Sequence, residues 1–398
     1  MHLTFRHFDL KLSGTDEAVV NRVIDTTDVS KALTKQLGLP VSITLIPPDA
    51  SVVLSDVLDI FPARSGTNGV PWGFDPSYEA SGSINVVDNL CVTMLGRASG
   101  ATPCLLPLRG AWSPLAGKTH LVVRVAPLED AAGQDWRLKR AVAEWIHQWV
   151  QHLTKSQVPV QSESWEWGQS VADPLPRVVY VYQVQSQGPM RRTYLYGLPC
   201  DDQWPLFLSP LAVLGGVMIS GNYVLCGQRN ATIFHAENPI IRNLLEQHGR
   251  TVDFRGVILM TAAGSEAAKR RMAEMVAALA RQLQAEGAVV SKEGGGNATV
   301  DLMLAIESLE QAGVKTVGLV NEMAGQAGER SPLIIHVPEA DALVSTGNVE
   351  QTITLPEGMA VLGGLDSTDH LSTLSIPLAS VHGSTNPLGV GRWGCREA

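Results

Sequence analysis

Apolar positions along this chain fall into two regimes: short alternating runs in the first third, and a strand–helix rhythm in the second half. Residues 41–46 (Val-Ser-Ile-Thr-Leu-Ile), 83–87 and 120–125 are alternating or β-branched runs separated by glycine- and proline-bearing segments. That pattern predicts strands through much of residues 1–125. A helix is predicted over 134–154, where Trp136, Val142, Trp145, Ile146, Trp149 and Val150 recur at helical spacing and make one apolar stripe. The tryptophans read as packing or as a subunit contact. Residues 156–169 are polar and rich in Gln and Ser, which predicts a linker.

Beyond Arg177 the rhythm changes. Strands are predicted at 178–182, 256–260, 287–291, 316–320 and 342–345, with helices at 265–286 and at 299–312, the latter opened by Asn297. Strands alternating with helices imply crossover connections and a parallel sheet. The expected fold class is therefore α/β. A β-rich N-terminal domain with one long Trp-bearing helix should span 1–170. A C-terminal Rossmann-like domain with a mainly parallel sheet should span 171–398 and contain Cys226. A chain of 398 residues has room for two such cores.

Composition narrows the function classes. The apolar fraction is 45% and the charged fraction 17%, as in a compact globular protein. A net charge of −9 argues against a nucleic-acid surface. No apolar run nears the roughly 20 residues that span a bilayer. The N-terminus shows no basic start followed by an apolar stretch, so a cytoplasmic protein with neither membrane nor nucleic acid as partner is expected. The five cysteines, at 91, 104, 200, 226 and 395, form no CxxC pair, hence neither a disulfide framework nor a zinc-ribbon pattern. Cys226, His235 and Glu237 could share a metal, but their spacing matches no compact zinc motif and no metal ligand is assigned.

The segment Ser220-Gly221-Asn222-Tyr223-Val224-Leu225-Cys226-Gly227-Gln228-Arg229-Asn230 places a thiol among residues that tolerate sharp turns. Such a cysteine serves as a nucleophile, a metal ligand or a site of backbone self-cleavage; the plainer alternative is a small buried hydrophobe. His235 follows closely enough to help form a thiolate. Ligands of open parallel sheets bind beyond the carboxyl ends of the strands. There stand Glu293 and Glu322, suited to acid–base work or to holding an amine, together with Asn297 and Asn348. For the glutamates the alternative is a solvated loop charge. The run Gly294-Gly295-Gly296 reads either as an anion cradle or as a turn before a helix capped by Asn297 or Thr299. It is neither a Walker A loop nor a GxGxxG fingerprint, and the chain has no GxSxG elbow. The expected site thus has Cys226, Glu293 and Glu322 as catalytic residues and Asn222, His235, Asn297 and Asn348 as substrate-binding ones.

Residues 176–188 (Pro-Arg-Val-Val-Tyr-Val-Tyr-Gln-Val-Gln-Ser-Gln-Gly) and 193–197 (Thr-Tyr-Leu-Tyr-Gly) carry a resemblance, which continues through Ser220-Gly221-Asn222 and Asn238-Pro239. It extends to Glu293-Gly294, Asn297, 301–303, Glu322, Ala324-Gly325, Gly347-Asn348 and residues 383–389, with an echo at 56–60. Together these resemble the pyruvoyl-type subunit of glycine/sarcosine/betaine reductase component B, a relative of the D-proline reductase proprotein. The resemblance implies reductive C–N cleavage of a small amino acid or amine. It also implies a hetero-oligomer with a selenocysteine- or cysteine-containing reductase subunit. As cofactor it implies a pyruvoyl group made by self-cleavage between Leu225 and Cys226. The family pattern has a cysteine directly after Ser-Gly-Asn and another a few residues on; here Tyr223 follows Asn222, and an ungapped reading puts Gly227 at the second cysteine position, one residue after Cys226. Two other readings follow from that departure. One is an unprocessed member using intact Cys226 with Glu293 and Glu322 as a hydrolase or lyase on a small nitrogen- or sulfur-containing substrate. The other is a non-catalytic scaffold for the partner's active site.

Overall fold

The computed structural model describes all residues except 10–25, 71, 75–79, 98–103, 111–113, 129–130, 170, 172–173, 187–190, 201–203, 223–224, 365–374 and 391–398. Tyr223 and Cys395 therefore lie outside the described residues. The first half supplies β1 (His2–Phe8), β2 (Val41–Ile46), β3 (Val52–Leu54), β4 (Val57–Gly66), β5 (Gly82–Leu95), β6 (Leu106–Pro107), β7 (Thr119–Val125) and β8 (Gln161–Glu166). Helices α1 (Thr26–Leu37) and α2 (Ala131–Thr154) accompany them. One mixed sheet runs β2-β7-β5-β1-β8, with β4 also on β5. The apolar stripe of α2 is real: Leu138, Val142, Ile146 and Val150 recur every fourth residue and are fully buried in one core with β4 and β5. The tryptophans pack, Trp145 stacking on Trp149 and Trp136 on Tyr194.

The predicted linker contains a strand instead. Gln161–Glu166 forms β8, paired antiparallel with β1 at the sheet edge. Its polar composition suits an edge, where charged side chains discourage pairing with a further strand. The next indole, Trp167, donates from Nε1 to the Phe254 carbonyl at 2.9 Å and ties this edge to the second sheet.

The second half adds β9 (Arg177–Val184), β10 (Arg191–Leu195), β11 (Leu198–Pro199), β12 (Leu206–Leu208), β13 (Met218–Asn222), β14 (Asp253–Thr261), β15 (Gly287–Lys292), β16 (Lys315–Glu322) and β17 (Leu343–Asn348). Short strands β18 (Thr352–Thr354), β19 (Ala360–Leu362) and β20 (Ser375–Pro377) follow. The helices are α3 (Pro210–Gly215), α4 (Thr232–Ala236), α5 (Pro239–Gln247), α6 (Glu266–Gln282) and α7 (Asn297–Gln311). The second sheet runs β12-β14-β9-β15-β16-β17, parallel throughout except for β12 at the edge. Strand β9 shows why its central run, 178–182, is apolar on both faces. Val179 and Val181 face the core under α6 and α7, while Tyr180, Tyr182 and Val184 face the other core. A strand buried on both faces has no solvent side to leave polar.

That other core also takes Leu3, Phe5 and Ile60 from the first half, and β19 pairs with β3. The architecture is α/β with mixed parallel and antiparallel sheets. Helix α6 is capped by Ser265, whose hydroxyl accepts from the Ala268 N–H at 3.3 Å. Helix α7 starts differently from the expectation: Gly296, at φ 58°, is the cap, and Asn297 is the first helical residue.

On β1, between β5 and β8, His7 Nδ1 lies 2.8 Å from Asp88 and its Nε2 lies 3.3 Å from Glu163. These carboxylates raise the pKa of His7 from 6.5 to about 9. A pKa raised on folding contributes stability that is complete below pH 6.5 and fades as pH rises through 9. The urea midpoint should therefore fall across that window, and His7→Gln should flatten this part of the slope. An unchanged pH dependence in the variant contradicts the assignment.

Candidate functional site

Strand β13 leads into the Cys226 segment, a single 3-10 turn over Cys226–Gln228. Leu225, just before the thiol, sits at φ 54° and ψ 48°. A leucine in the left-handed region carries strain on the order of 1–3 kcal/mol. Its side chain is 40% exposed, and its carbonyl accepts from the Gln228 N–H at 3.2 Å. Gly227 is required by close approach, because a Cβ there would lie 2.1 Å from the Leu378 carbonyl oxygen. A cysteine therefore cannot occupy this position on the present backbone.

Hydrogen bonds seat the turn on the strand ends. The Gly294 N–H donates to the Gln228 carbonyl at 2.7 Å, and Asn321 Nδ2 donates to Gln228 Oε1 at 2.9 Å. The Thr385 N–H and hydroxyl both donate to the Gly227 carbonyl, at 3.0 and 2.9 Å. From below, the Thr232 hydroxyl accepts from the Ser220 N–H at 2.9 Å and donates to Asp59 at 2.6 Å. Asp59 and Asp135 each lie 3.4 Å from Lys139, whose ammonium also donates to the Ser220 carbonyl. The echo noted at 56–60 thus contains the anchor of this segment.

The sulfur of Cys226 is 1% exposed, so it is not presented to solvent as the sequence reading expected. Its neighbours are Cys104 and His382, and the three ligand atoms lie within 4.8 Å of one another. The Cys104 thiol is pulled well below its ordinary range by the Cys226 hydrogen bond and then by His382. Cys226 is pushed up by burial and then by Cys104. One thiol of the pair thus donates to the other, with His382 beside them. Cys104 and His382 were not anticipated. His382 carries a faint signal, as it immediately precedes the run 383–389, whereas nothing marks Cys104 except its being a cysteine.

Glu293 is fully buried, and its carboxylate is a clamp. One oxygen accepts from the Gln185 N–H at 2.9 Å and the Thr193 hydroxyl at 3.2 Å; the other accepts from the Asn230 N–H at 2.9 Å. Burial nevertheless raises its pKa. It joins the ends of β9 and β15 to the Cys226 segment. Glu293→Ala leaves two backbone donors unpaired, and a loss of about 2–4 kcal/mol is expected in urea unfolding. Wild-type stability in that variant rules out the clamp.

His235 does not pair with Cys226. Its Nδ1 accepts from the Tyr182 hydroxyl at 2.6 Å, which itself accepts from Asn230 Nδ2 at 2.8 Å. Burial lowers the His235 pKa to about 3, so the ring is neutral. Since Nδ1 accepts, Nε2 carries the hydrogen, 3.8 Å from Glu293. Glu322 accepts from the Ser345 hydroxyl at 2.5 Å. Asn348 braces a loop, accepting from the Ala324 and Glu350 N–H groups and donating to the Gly325 carbonyl at 2.6 Å. Asn297 is exposed, and Asn222 ends β13 with its side chain outside the described ones. Of the expected residues, Glu293 and His235 share one buried network with the Cys226 segment, while Glu322 and Asn348 belong to the neighbouring strand pair. Lys292 is a further buried group, with Nζ donating to the Gly294 carbonyl and Asn321 Oδ1 at 2.5 and 2.6 Å. Burial lowers its pKa to about 7.

A surface hollow of about 670 Å³ is lined by Arg6, Asn85, Gln151, His152 and Lys155 among others, and includes none of the site residues. No described helix is long and apolar enough to cross a membrane.

Residues 14–384 match the family model for glycine/sarcosine/betaine reductase component B subunits. The chain belongs to that family. It is 29% identical over 378 residues to the "Glycine reductase complex component B subunits alpha and beta" of Peptoclostridium acidaminophilum, covering 88% of each chain. The protein of the same name from Acetoanaerobium sticklandii is 29% identical over 81% of this chain and 78% of its own. The betaine reductase complex component B subunit alpha of Peptoclostridium acidaminophilum is 36% identical over 57% of this chain and 52% of its own. No solved structure matches. The component B match runs through the Cys226 turn, the Glu293 clamp and His382 alike.

Proposed function

We propose that this chain is the substrate-binding subunit of a component-B-like reductase. It acts on a small amino acid or amine and cleaves a C–N bond together with a selenol- or thiol-bearing partner subunit. The relatives' names, which speak of glycine, betaine and sarcosine reductase complexes, support the substrate class. Two of those names assign subunits alpha and beta to one matched chain.

The observation that carries the site assignment is the strained Leu225 peptide directly before the Cys226 thiol. The residues present fit a pyruvoyl group at this point: the peptide to be cut is left-handed, and its carbonyl is polarised by the Gln228 N–H. Such a group supplies an electrophilic ketone for an amine substrate. The chain's own part is to open the site. The Cys226 sulfur bonds to the Leu225 carbonyl carbon, the Leu225–Cys226 C–N bond breaks and the thiol proton passes to the departing nitrogen, leaving a thioester and a free amine, while the Gln228 N–H stabilises the oxygen as charge develops on it. Glu293, Tyr182 and His235 hold the segment in register over the strand ends.

A second reading is favoured by Tyr223 following Asn222. In it the chain remains whole and Cys226 acts as a thiol in a hydrolase or lyase. Intact mass and a denaturing gel separate the two. Two fragments meeting between Leu225 and Cys226, the later one blocked and reactive to carbonyl reagents, are expected on the first reading. One species near 42.7 kDa with its own thiol-dependent activity supports the second. One uncut species whose function survives Cys226→Ala sinks both.

A further inference from the structure

Cys104 and His382, which close a buried group around the Cys226 sulfur, have no role in the reading above. The three residues of that group come from the loop before β6, the Cys226 turn and the segment after β20. Cys104, Cys226 and His382 are 3%, 1% and 2% exposed. Neither ring nitrogen of His382 makes a hydrogen bond of ordinary geometry. The neighbouring Cys104 thiol is at best a weak partner for it, and a buried imidazole so poorly satisfied calls for a better one. From this geometry we infer that the uncut chain binds one thiophilic divalent metal ion of the zinc class through Cys104 Sγ, Cys226 Sγ and a ring nitrogen of His382.

The donor set selects the ion. Two thiolates and an imidazole suit zinc and offer nothing to calcium or magnesium, which take oxygen ligands. Zinc–sulfur bonds of about 2.3 Å and zinc–nitrogen bonds of about 2.0 Å place tetrahedral ligand atoms about 3.5–3.8 Å apart. The three atoms already lie within 4.8 Å of one another, so closing on an ion needs shifts of no more than about 1 Å. Charge agrees as well. A divalent ion with two thiolates is neutral, whereas a lone thiolate in this dry setting is not. Binding deprotonates the ligand thiols, so affinity should rise with pH. Three protein ligands leave a fourth position for one small ligand.

Binding would tie three distant segments together and engage the same sulfur lone pair that attacks Leu225. A metal-loaded chain thus keeps the Leu225–Cys226 peptide whole. The inference goes beyond the reductase reading and does not need it.

The test uses the full chain, purified reduced and anaerobically, stripped with a chelator, then titrated with Co²⁺ and displaced with Zn²⁺. One equivalent of Co²⁺ should give thiolate charge-transfer absorption, removed by one equivalent of Zn²⁺. Cys104→Ala and His382→Ala should each weaken binding by at least about 100-fold. Cys200→Ala, at a buried cysteine outside the cluster, should leave it unchanged. If the ligand variants fail to fold, alkylation of the wild-type chain read by mass spectrometry replaces them: Zn²⁺ should protect Cys104 and Cys226 and not Cys200. Absence of the absorption, binding undiminished in Cys104→Ala, or equal alkylation of the uncut chain with and without Zn²⁺ each overturns the proposal.

Discussion

Cys226→Ala is expected to lower substrate-dependent turnover of the assembled complex by at least about 10³-fold, the scale seen when a covalent nucleophile is removed. The effect should fall on kcat, because the residue is assigned to chemistry rather than to ground-state binding. Stability should change by only about 1 kcal/mol, since the side chain lost is small. Both readings of the site require this pairing of a large kinetic loss with a small thermodynamic one. Cys200→Ala is the matched control, also buried and also a free thiol. A fall in turnover of less than about tenfold would place the chemistry elsewhere, and a large loss of stability would make Cys226 a packing residue.

The largest stability effect is expected at Lys139. Its side chain is fully buried between Asp59 and Asp135, each 3.4 Å away and at most 1% exposed. Burial opposes the ammonium, but the two carboxylates outweigh it and its pKa is raised. Lys139→Ala strands two carboxylates in a dry setting, and breaking a buried pair in this way costs about 3–5 kcal/mol. The loss should spread to the site, because Asp59 also holds Thr232, which holds Ser220. Protonating the orphaned carboxylates relieves the cost, so the gap between wild type and variant should narrow as pH falls. Urea unfolding at two pH values measures both. A gap that is small, or that widens on acidification, contradicts the ion-network account.

Much of the second sheet was legible in the sequence because its strands are buried on both faces. They stand out as continuous apolar runs, such as 178–182 and 256–260, bounded by glycine or polar segments. The stripe on α2 was legible for the complementary reason, a single buried face repeating at helical spacing. Strand β8 was not, because an edge strand with one solvated face looks like a polar linker. Among site residues, Glu293 could be placed at a strand end from its position, but its role could not be read. Its partners are backbone N–H groups of Gln185 and Asn230, which no side-chain pattern announces. His235 looked like a partner for Cys226 because it is close in sequence, yet Tyr182 claims it across the fold. The true neighbours of the sulfur, Cys104 and His382, lie more than 100 residues away on either side, a contact only tertiary structure creates.

The most direct test of component-B-like function is amine release from glycine, sarcosine and betaine by this chain combined with the partner fraction that co-purifies with it, supplied with a dithiol reductant. Release from at least one of the three that needs both the chain and the partner, and that consumes reductant in step with product, is the predicted result. Product formed by the chain alone without reductant, or no stimulation by the chain with any of these amines, would contradict it.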